Sequence, residues 1–451
     1  MTEPKKNSVY ELDITGYTAE GLGVARLDGR VVFVPDTIRG ERWQVQMLKV
    51  NKNVAWGRGV KLMLESSCRV PSDCPHSSPC GGCQFRHMDY KEELEAKRQR
   101  VEDALRRIGG VDITVETIHG AQDTHRYRNK VQFPVARGKE GIHVGLFRAR
   151  SHDVIDVADC LLQPKRANRL GRALKEWMER GNVPAYDEKT GKGLVRHLYV
   201  RTNRSGESLV CLVVNGKKLP DEAGLVNALR ACDPGLAGVV LNVNRKDTNV
   251  ILGDGYRTLW GRDWLEEELC GLTFCLSVPS FFQINREQTE VLYGRALDFA
   301  GLTGKETVLD LYCGIGTISL TMAKKAGKVI GAEIVPEAIE DAKENAQRNG
   351  VTNAEFFCGD AGEIAYKLAA EGVRPDVICV DPPRKGLAPG VTDLLADMAP
   401  ERIVYVSCDP ATLARDVKLL GRRGYVVKKA EAVDLFPRTQ HVESVVLLCQ
   451  K

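Results

Sequence analysis

Two residues near the C-terminus carry the clearest chemistry. Cys408 ends the apolar run RIVYVS and precedes Asp409-Pro410-Ala411-Thr412, a helix start with proline in its first turn. A thiol at a helix N-terminus is expected to have its thiolate stabilised, which suits a nucleophile. Glu443, in FPRTQHVESVVLL, stands just before the last apolar strand, where a carboxylate can take up a proton. Further acids end successive apolar runs: Asp310 in VLDLY, Glu333 in VIGAEI, Asp360 in CGD and Asp381 in VDPPRKG. Cys270, Cys275, Cys379 and Cys449 lie within apolar patterns and read as core cysteines.

These acids surround a glycine turn. In VLDLYCGIGTISL an apolar strand passes Asp310 and Tyr312, turns through Gly314-Ile315-Gly316, and resumes as a helix. Such glycines let backbone N–H groups approach a ligand, although a plain strand-to-helix turn fits this segment alone equally well. Glu333 is placed to hold ribose hydroxyls and Asp360 to meet an adenine edge. The set suits S-adenosylmethionine better than NAD, because the dinucleotide fingerprint wants a third glycine where Ser319 stands. A nucleophilic thiol then has a purpose. The C5 of uracil is too weak to attack a sulfonium, whereas a thiolate added at C6 creates an enolate whose C5 can. Glu443 would then remove the C5 proton so that the thiolate leaves.

The elements that position these residues alternate strand and helix: TVLDLY, KVIGAEI, AEFFCGD, DVICVDPP, RIVYVSC and ESVVLLC predict an open, doubly wound α/β sheet with ligand sites at its carboxyl edge. Ahead of it, five short strands up to about residue 62, with a hairpin at Asp28-Gly29, predict a small OB-type barrel. Its Arg and Lys residues give either an RNA-binding face or a plain solvated one. Cys74-x5-Cys80-x2-Cys83 then places three thiols on a Pro/Gly-rich loop. A fourth ligand is required, from Cys160 or from Cys68, and three clustered cysteines plus a remote one are an iron-sulfur habit, with zinc still open. DYKEELEAKRQRVEDALRRIG predicts a helix with mostly solvated charges, and RANRLGRALKEWMERG the one helix of a strand-rich middle region. Beside its strands lie two basic and aromatic clusters, expected to contact RNA phosphates and unpaired bases: Arg126, Arg128 and Lys130, then Phe147, Arg148 and Arg150.

At 451 residues the chain has room for two or three domains. A net charge of +4 is too small to argue nucleic-acid binding by itself, so local clusters must supply it. No apolar run is long enough to span a bilayer and no apolar segment follows the first basic residues, so no membrane association and a cytoplasmic location are expected. With no secretory signal, the fourteen cysteines argue against a disulfide framework.

PCGGCQ, PSFFQIN, DLYCGIGTISL, DPPRKG, SCDPATLARD and FPRTQHVES together resemble the bacterial RNA 5-methyluridine methyltransferase family over nearly the full length. The resemblance implies Cys408 as nucleophile, Glu443 as proton acceptor, and S-adenosylmethionine contacts at Gln283, Tyr312, Glu333 and Asp381. It implies a 4Fe-4S cluster on Cys74, Cys80, Cys83 and Cys160, with Cys68 a departure that could replace Cys74. It further implies a TRAM-like barrel at 1–65, a central domain of 66–88 and 120–277, and a Rossmann-like methyltransferase domain of 89–119 and 278–451. The barrel and the cysteine loop resemble members acting on 23S ribosomal RNA more than the shorter transfer-RNA enzymes. A monomer with no obligate protein partner is expected. Two other readings stand beside this one: methylation of a base or protein nitrogen, which has no use for Cys408, and an inactive RNA-binding protein.

Overall fold

The computed structural model describes residues 4–451; the first three residues of the expected barrel lie outside the described residues. Period-two alternation in the first sixty residues builds a curled sheet in the order Val9–Asp13, Arg42–Val50, Val54–Leu64, Arg30–Val34, Gly23–Leu27, Gly16–Tyr17. The sequence pattern gave five strands; the sixth, Gly16–Tyr17, is too short to show a period. Asp28 and Gly29 both take positive φ, 47° and 82°, the twist a two-residue hairpin needs. Leu12, Val32, Val34, Val45, Met47 and Ala55 fill the interior.

The middle region is a seven-stranded sheet running Val154–Asp156, Gly141–Phe147, Lys130–Gly138, Val195–Thr202, Ser208–Val214, Leu236–Val243, Gly255–Gly261. Lys165–Arg180 covers it together with a second helix, Glu222–Cys232, that the sequence pattern did not give. The following hairpin, Trp264–Leu269 with Leu272–Ser277, is shared between domains. Leu265 packs towards the central sheet, whereas Phe274 and Leu276 enter the C-terminal core.

The last sheet has eight strands, ordered Ala354–Cys358, Lys328–Glu333, Thr307–Leu311, Val377–Val380, Arg402–Ser407, Glu443–Gln450, Tyr425–Val433, Ile118–His119. The first five run parallel, so their carboxyl ends share one edge, and the antiparallel Glu443–Gln450 begins at that same edge. Ile118–His119 comes from much earlier in the chain, and helix Tyr90–Ala104 ahead of it packs against the same end of this sheet. That helix is capped by Asp89 and prolonged by one π-helical turn, Leu105–Gly109, ending at Gly110 with φ 68°. Its charges are not all solvated. Glu93 and Lys97 are buried, because their partner Asp434 comes from the far end of the chain.

Candidate active site

Strand register brings the two proposed reacting groups together. Ser407 pairs with Ser444 in the last rung of the antiparallel junction, so Cys408 and Glu443 stand beside each other just past it although 35 residues separate them in sequence. Glu443 is 2% exposed, and burial, reinforced by Asp381, pushes its carboxyl well above the usual range. Burial first, then Glu443 and Asp381, push the Cys408 thiol up to about 11. This corrects the expectation of a stabilised thiolate. The helix N-terminus is present, with Asp409 capping Pro410–Arg422, but two carboxyl groups from neighbouring strands and the loss of water outweigh it.

Arg384, unnoticed in the sequence although it lies in DPPRKG, opposes both shifts. Alkylation of Cys408 in the ligand-free protein should therefore be slow at pH 8 and should accelerate up to about pH 11. Glu443→Gln removes one negative neighbour, so the midpoint should move to lower pH; peptide mass mapping of iodoacetamide labelling reads both, and an unmoved midpoint would refute the coupling.

At the glycine turn, Glu333 does more than end a strand. Its Oε2 accepts from Gly314 N at 3.2 Å, and its Oε1 from Ile334 N and Val335 N at 2.9 and 3.1 Å. Gly316 holds φ 84° and opens helix Thr317–Ala323. Tyr312 takes φ 70°, an unusual conformation for a bulky residue, and leaves the strand there. Asp310 is fully buried, and desolvation pushes its carboxyl up to about 7. Ser319 donates to its Oδ2, while Oδ1 is buried without a partner. Burial likewise pushes Asp381 up to about 7. An orphaned acceptor among desolvated acids fits a ligand that brings hydrogen-bond donors and positive charge. Asp360 also caps helix Ala361–Ala370 through Gly362 N, at 2.9 Å. Gln283 is fixed through its carbonyl by Asn129 Nδ2 at 2.8 Å.

Residues 434–441, leading to Glu443, are tied down from every side. Lys97 Nζ reaches Asp434 at 2.7 Å, Arg100 reaches Gln440 O at 2.7 Å, and Tyr127 Oη reaches Pro437 O at 3.0 Å. Gln84 N and Phe85 N, from the cysteine loop, both donate to Arg438 O. None of these partners had a signal in the sequence.

Cys74, Cys80, Cys83 and Cys160 line one cavity of about 50 Å³, with Arg86 and Arg128 in its wall. Cys68 lies apart, against Ile38, Phe85 and Met88. Among the described residues no three His, Cys, Asp or Glu side chains converge closely enough to hold a metal ion. Gly81 N bonds Phe147 O and Ala149 N bonds Pro79 O, each at 3.1 Å, joining the cysteine loop to the tip that bears Arg148 and Arg150. Those two arginines are exposed, whereas Arg126 is engaged internally. Arg126 pairs with Asp159 at 2.7 Å and donates to the carbonyls of Cys160 and Gln163, so it clasps the Cys160 segment.

The fold and this edge define an α/β S-adenosylmethionine-dependent methyltransferase with an N-terminal TRAM domain. Residues 89–451 match the tRNA (Uracil-5-)-methyltransferase family and residues 4–60 the TRAM domain. An uncharacterized RNA methyltransferase of Clostridium tetani is 46% identical over 98% of this chain and 97% of its own. One of Halalkalibacterium halodurans is 44% identical over the same shares. The solved structure of Pyrococcus abyssi tRNA (uracil-54, C5)-methyltransferase with S-adenosyl-L-homocysteine superposes with a TM-score of 0.79 at 30% identity, covering 97% of this chain and 99% of that one. The chain belongs to the RNA uracil-5-methyltransferase family.

Proposed function

We propose that the protein methylates C5 of a uridine in 23S ribosomal RNA through a covalent adduct between Cys408 and C6. The observation that carries the covalent chemistry is the strand register that sets Cys408 beside Glu443 at the ligand edge of the sheet, while the ribosomal substrate rests on the resemblance of the barrel and the cysteine loop. S-adenosylmethionine, when bound, supplies the methyl group and a positive charge. Asp310, Tyr312, Gly314, Glu333, Asp360, Asp381 and Gln283 would hold it. Cys408 adds to C6 as its thiolate, having lost its proton to solvent. C5 of the resulting enolate would take the methyl group as the methyl–sulfonium bond breaks and S-adenosylhomocysteine leaves. Glu443, ionised, then takes the C5 proton, and the C5–H electron pair restores the C5–C6 double bond and expels the thiolate. Arg384, facing both groups, favours their ionised forms before attack. The uridine must leave its stack to present C5 and C6, so the target is an unpaired, flipped base. Phe147, Arg148 and Arg150 are suited to hold the neighbouring strand.

A cavity shared by four thiols, with cationic neighbours that would offset thiolate charge, supports a 4Fe-4S cluster on Cys74, Cys80, Cys83 and Cys160, in which each iron would take one thiolate and no three side chains need meet on one ion. The reaction needs no electrons, so its role is to order the loop. Iron and zinc content of anaerobically purified wild type and Cys160→Ser tests this: zinc in place of iron, or unchanged iron in the variant, refutes it.

A second reading, a transfer-RNA uridine, is favoured by the Pyrococcus structure, since a transfer-RNA enzyme matches nearly the whole length of this chain. Labelled S-adenosylmethionine offered to unmodified 23S and transfer-RNA transcripts, with the labelled position mapped, decides between them. Label on C5 of ribosomal uridine is expected; label confined to transfer RNA overturns the substrate, and label on an exocyclic nitrogen overturns the reaction.

A further inference from the structure

We propose that Lys130 and Arg201 form a clamp for one phosphodiester of the bound RNA, a subsite whose identity rests on the RNA reading above. The two residues are direct cross-strand partners, on Lys130–Gly138 and Val195–Thr202. Directly opposed residues project from the same face of a sheet, and like charges so placed repel. Nothing in the fold cancels the repulsion, because among the described residues no carboxylate pairs with either side chain.

Arg201 is 1% exposed. Its Nη2 donates to the Tyr199 hydroxyl at 2.7 Å and the Ser280 carbonyl at 2.6 Å, both neutral acceptors. Nε and Nη1 are buried with no partner at all. A buried guanidinium with open donors is costly, and such groups persist where a ligand completes them. Lys130 is half-buried, and its ammonium lies 5.7 Å from the centre of the Phe281 ring, which is 65% exposed. Burial, with Arg201 and Arg128 adding to it, pushes the Lys130 ammonium down to about 8. Arg128 Nε is a third buried donor without a partner.

An anion is what this arrangement lacks. A phosphodiester carries one charge over two free oxygens, enough for Lys130 to take one directly while Arg201 supports it from beneath with its charge and open donors. The position is also apt. Asn129, between Arg128 and Lys130, bonds Gln283 O at 2.8 Å, so the clamp adjoins Gln283, which is expected to meet the methyl donor. Rotating a nucleotide out of its stack requires its backbone to be gripped nearby.

The test measures binding of the transcript that wild type labels, across a salt series, for wild type, Lys130→Gln, Arg201→Gln and the distant surface variant Lys343→Gln. Lys130→Gln should weaken RNA binding about tenfold and lower the slope of log K against log salt by about 1, leaving S-adenosylhomocysteine affinity unchanged. It should melt no lower than wild type, since one of two opposed cations is gone. Arg201→Gln should act in the same direction on RNA; if it fails to fold, Lys130→Gln alone decides. An unchanged slope in Lys130→Gln overturns the clamp. Loss of S-adenosylhomocysteine affinity with RNA binding intact also overturns it, by assigning the anion to the donor's carboxylate. Failure of wild type to label any RNA would instead remove the reading beneath it.

Discussion

Cys408→Ala should lose methyl transfer to RNA by roughly 10⁴-fold or more, the scale on which removal of a covalent nucleophile acts. Glu443→Gln should fail differently. With Cys408 intact, addition to C6 and methylation of C5 proceed, but the C5 proton has no acceptor and the C6–S bond cannot break. A protein–RNA species that survives denaturing electrophoresis, carries label from S-adenosylmethionine, and is absent in the Cys408→Ala, Glu443→Gln double variant is the expected result. Glu443 is buried beside Cys408, so glutamine fits its space and preserves the strand register. Free, fully labelled RNA from Glu443→Gln at the wild-type rate would remove Glu443 from the mechanism. Retention of uracil labelling by Cys408→Ala would remove the adduct itself.

How much of this was legible in the chain depends on where each residue's partners lie. The glycine turn after Leu311, the acids at strand ends and the proline after Cys408 are local patterns, and the structure sets all of them on one edge. The state of Cys408 is not local. Its helix N-terminus argued for a thiolate, while the carboxyls that raise it, Glu443 and Asp381, arrive from other strands. Arg126 reads as a free cation in HRYRNK, yet its partner Asp159 lies 33 residues on. Helix Glu222–Cys232 escaped notice because it is short and holds Gly224 near its start. The charged helix beginning at Tyr90 gave a miss of the same kind, since the residue that makes Lys97 a buried group is 337 positions away.

That miss identifies the second large effect. Lys97 is 1% exposed and holds Glu93 and Asp434 at 2.7 Å each, while Tyr90 Oη adds a bond to Asp434 at 2.8 Å. Burial works against the ammonium, but Asp434 and Glu93 together keep it above its usual value. Lys97→Met leaves Asp434 buried without a cation and Glu93 with only Arg438, 3.5 Å away, a loss on the order of 3–5 kcal/mol and roughly 10 °C in melting temperature. Adding Glu93→Gln and Asp434→Asn removes the stranded charges and should restore most of that loss, because a buried ion pair contributes little beyond a neutral filling of the same space. Activity should not recover with stability. Asp434 opens the segment that runs to Glu443, and Lys97 also bonds Phe436 O within it at 3.2 Å. Without that cation the segment loses its buried ionic tie at Asp434, held there among several hydrogen bonds, so the triple variant should bind S-adenosylhomocysteine and RNA yet turn over more slowly, with kcat reduced and KM unchanged. A triple variant with wild-type kcat would make Lys97 a purely structural charge, and a single variant that melts with the wild type would show that the buried triad is solvated in solution.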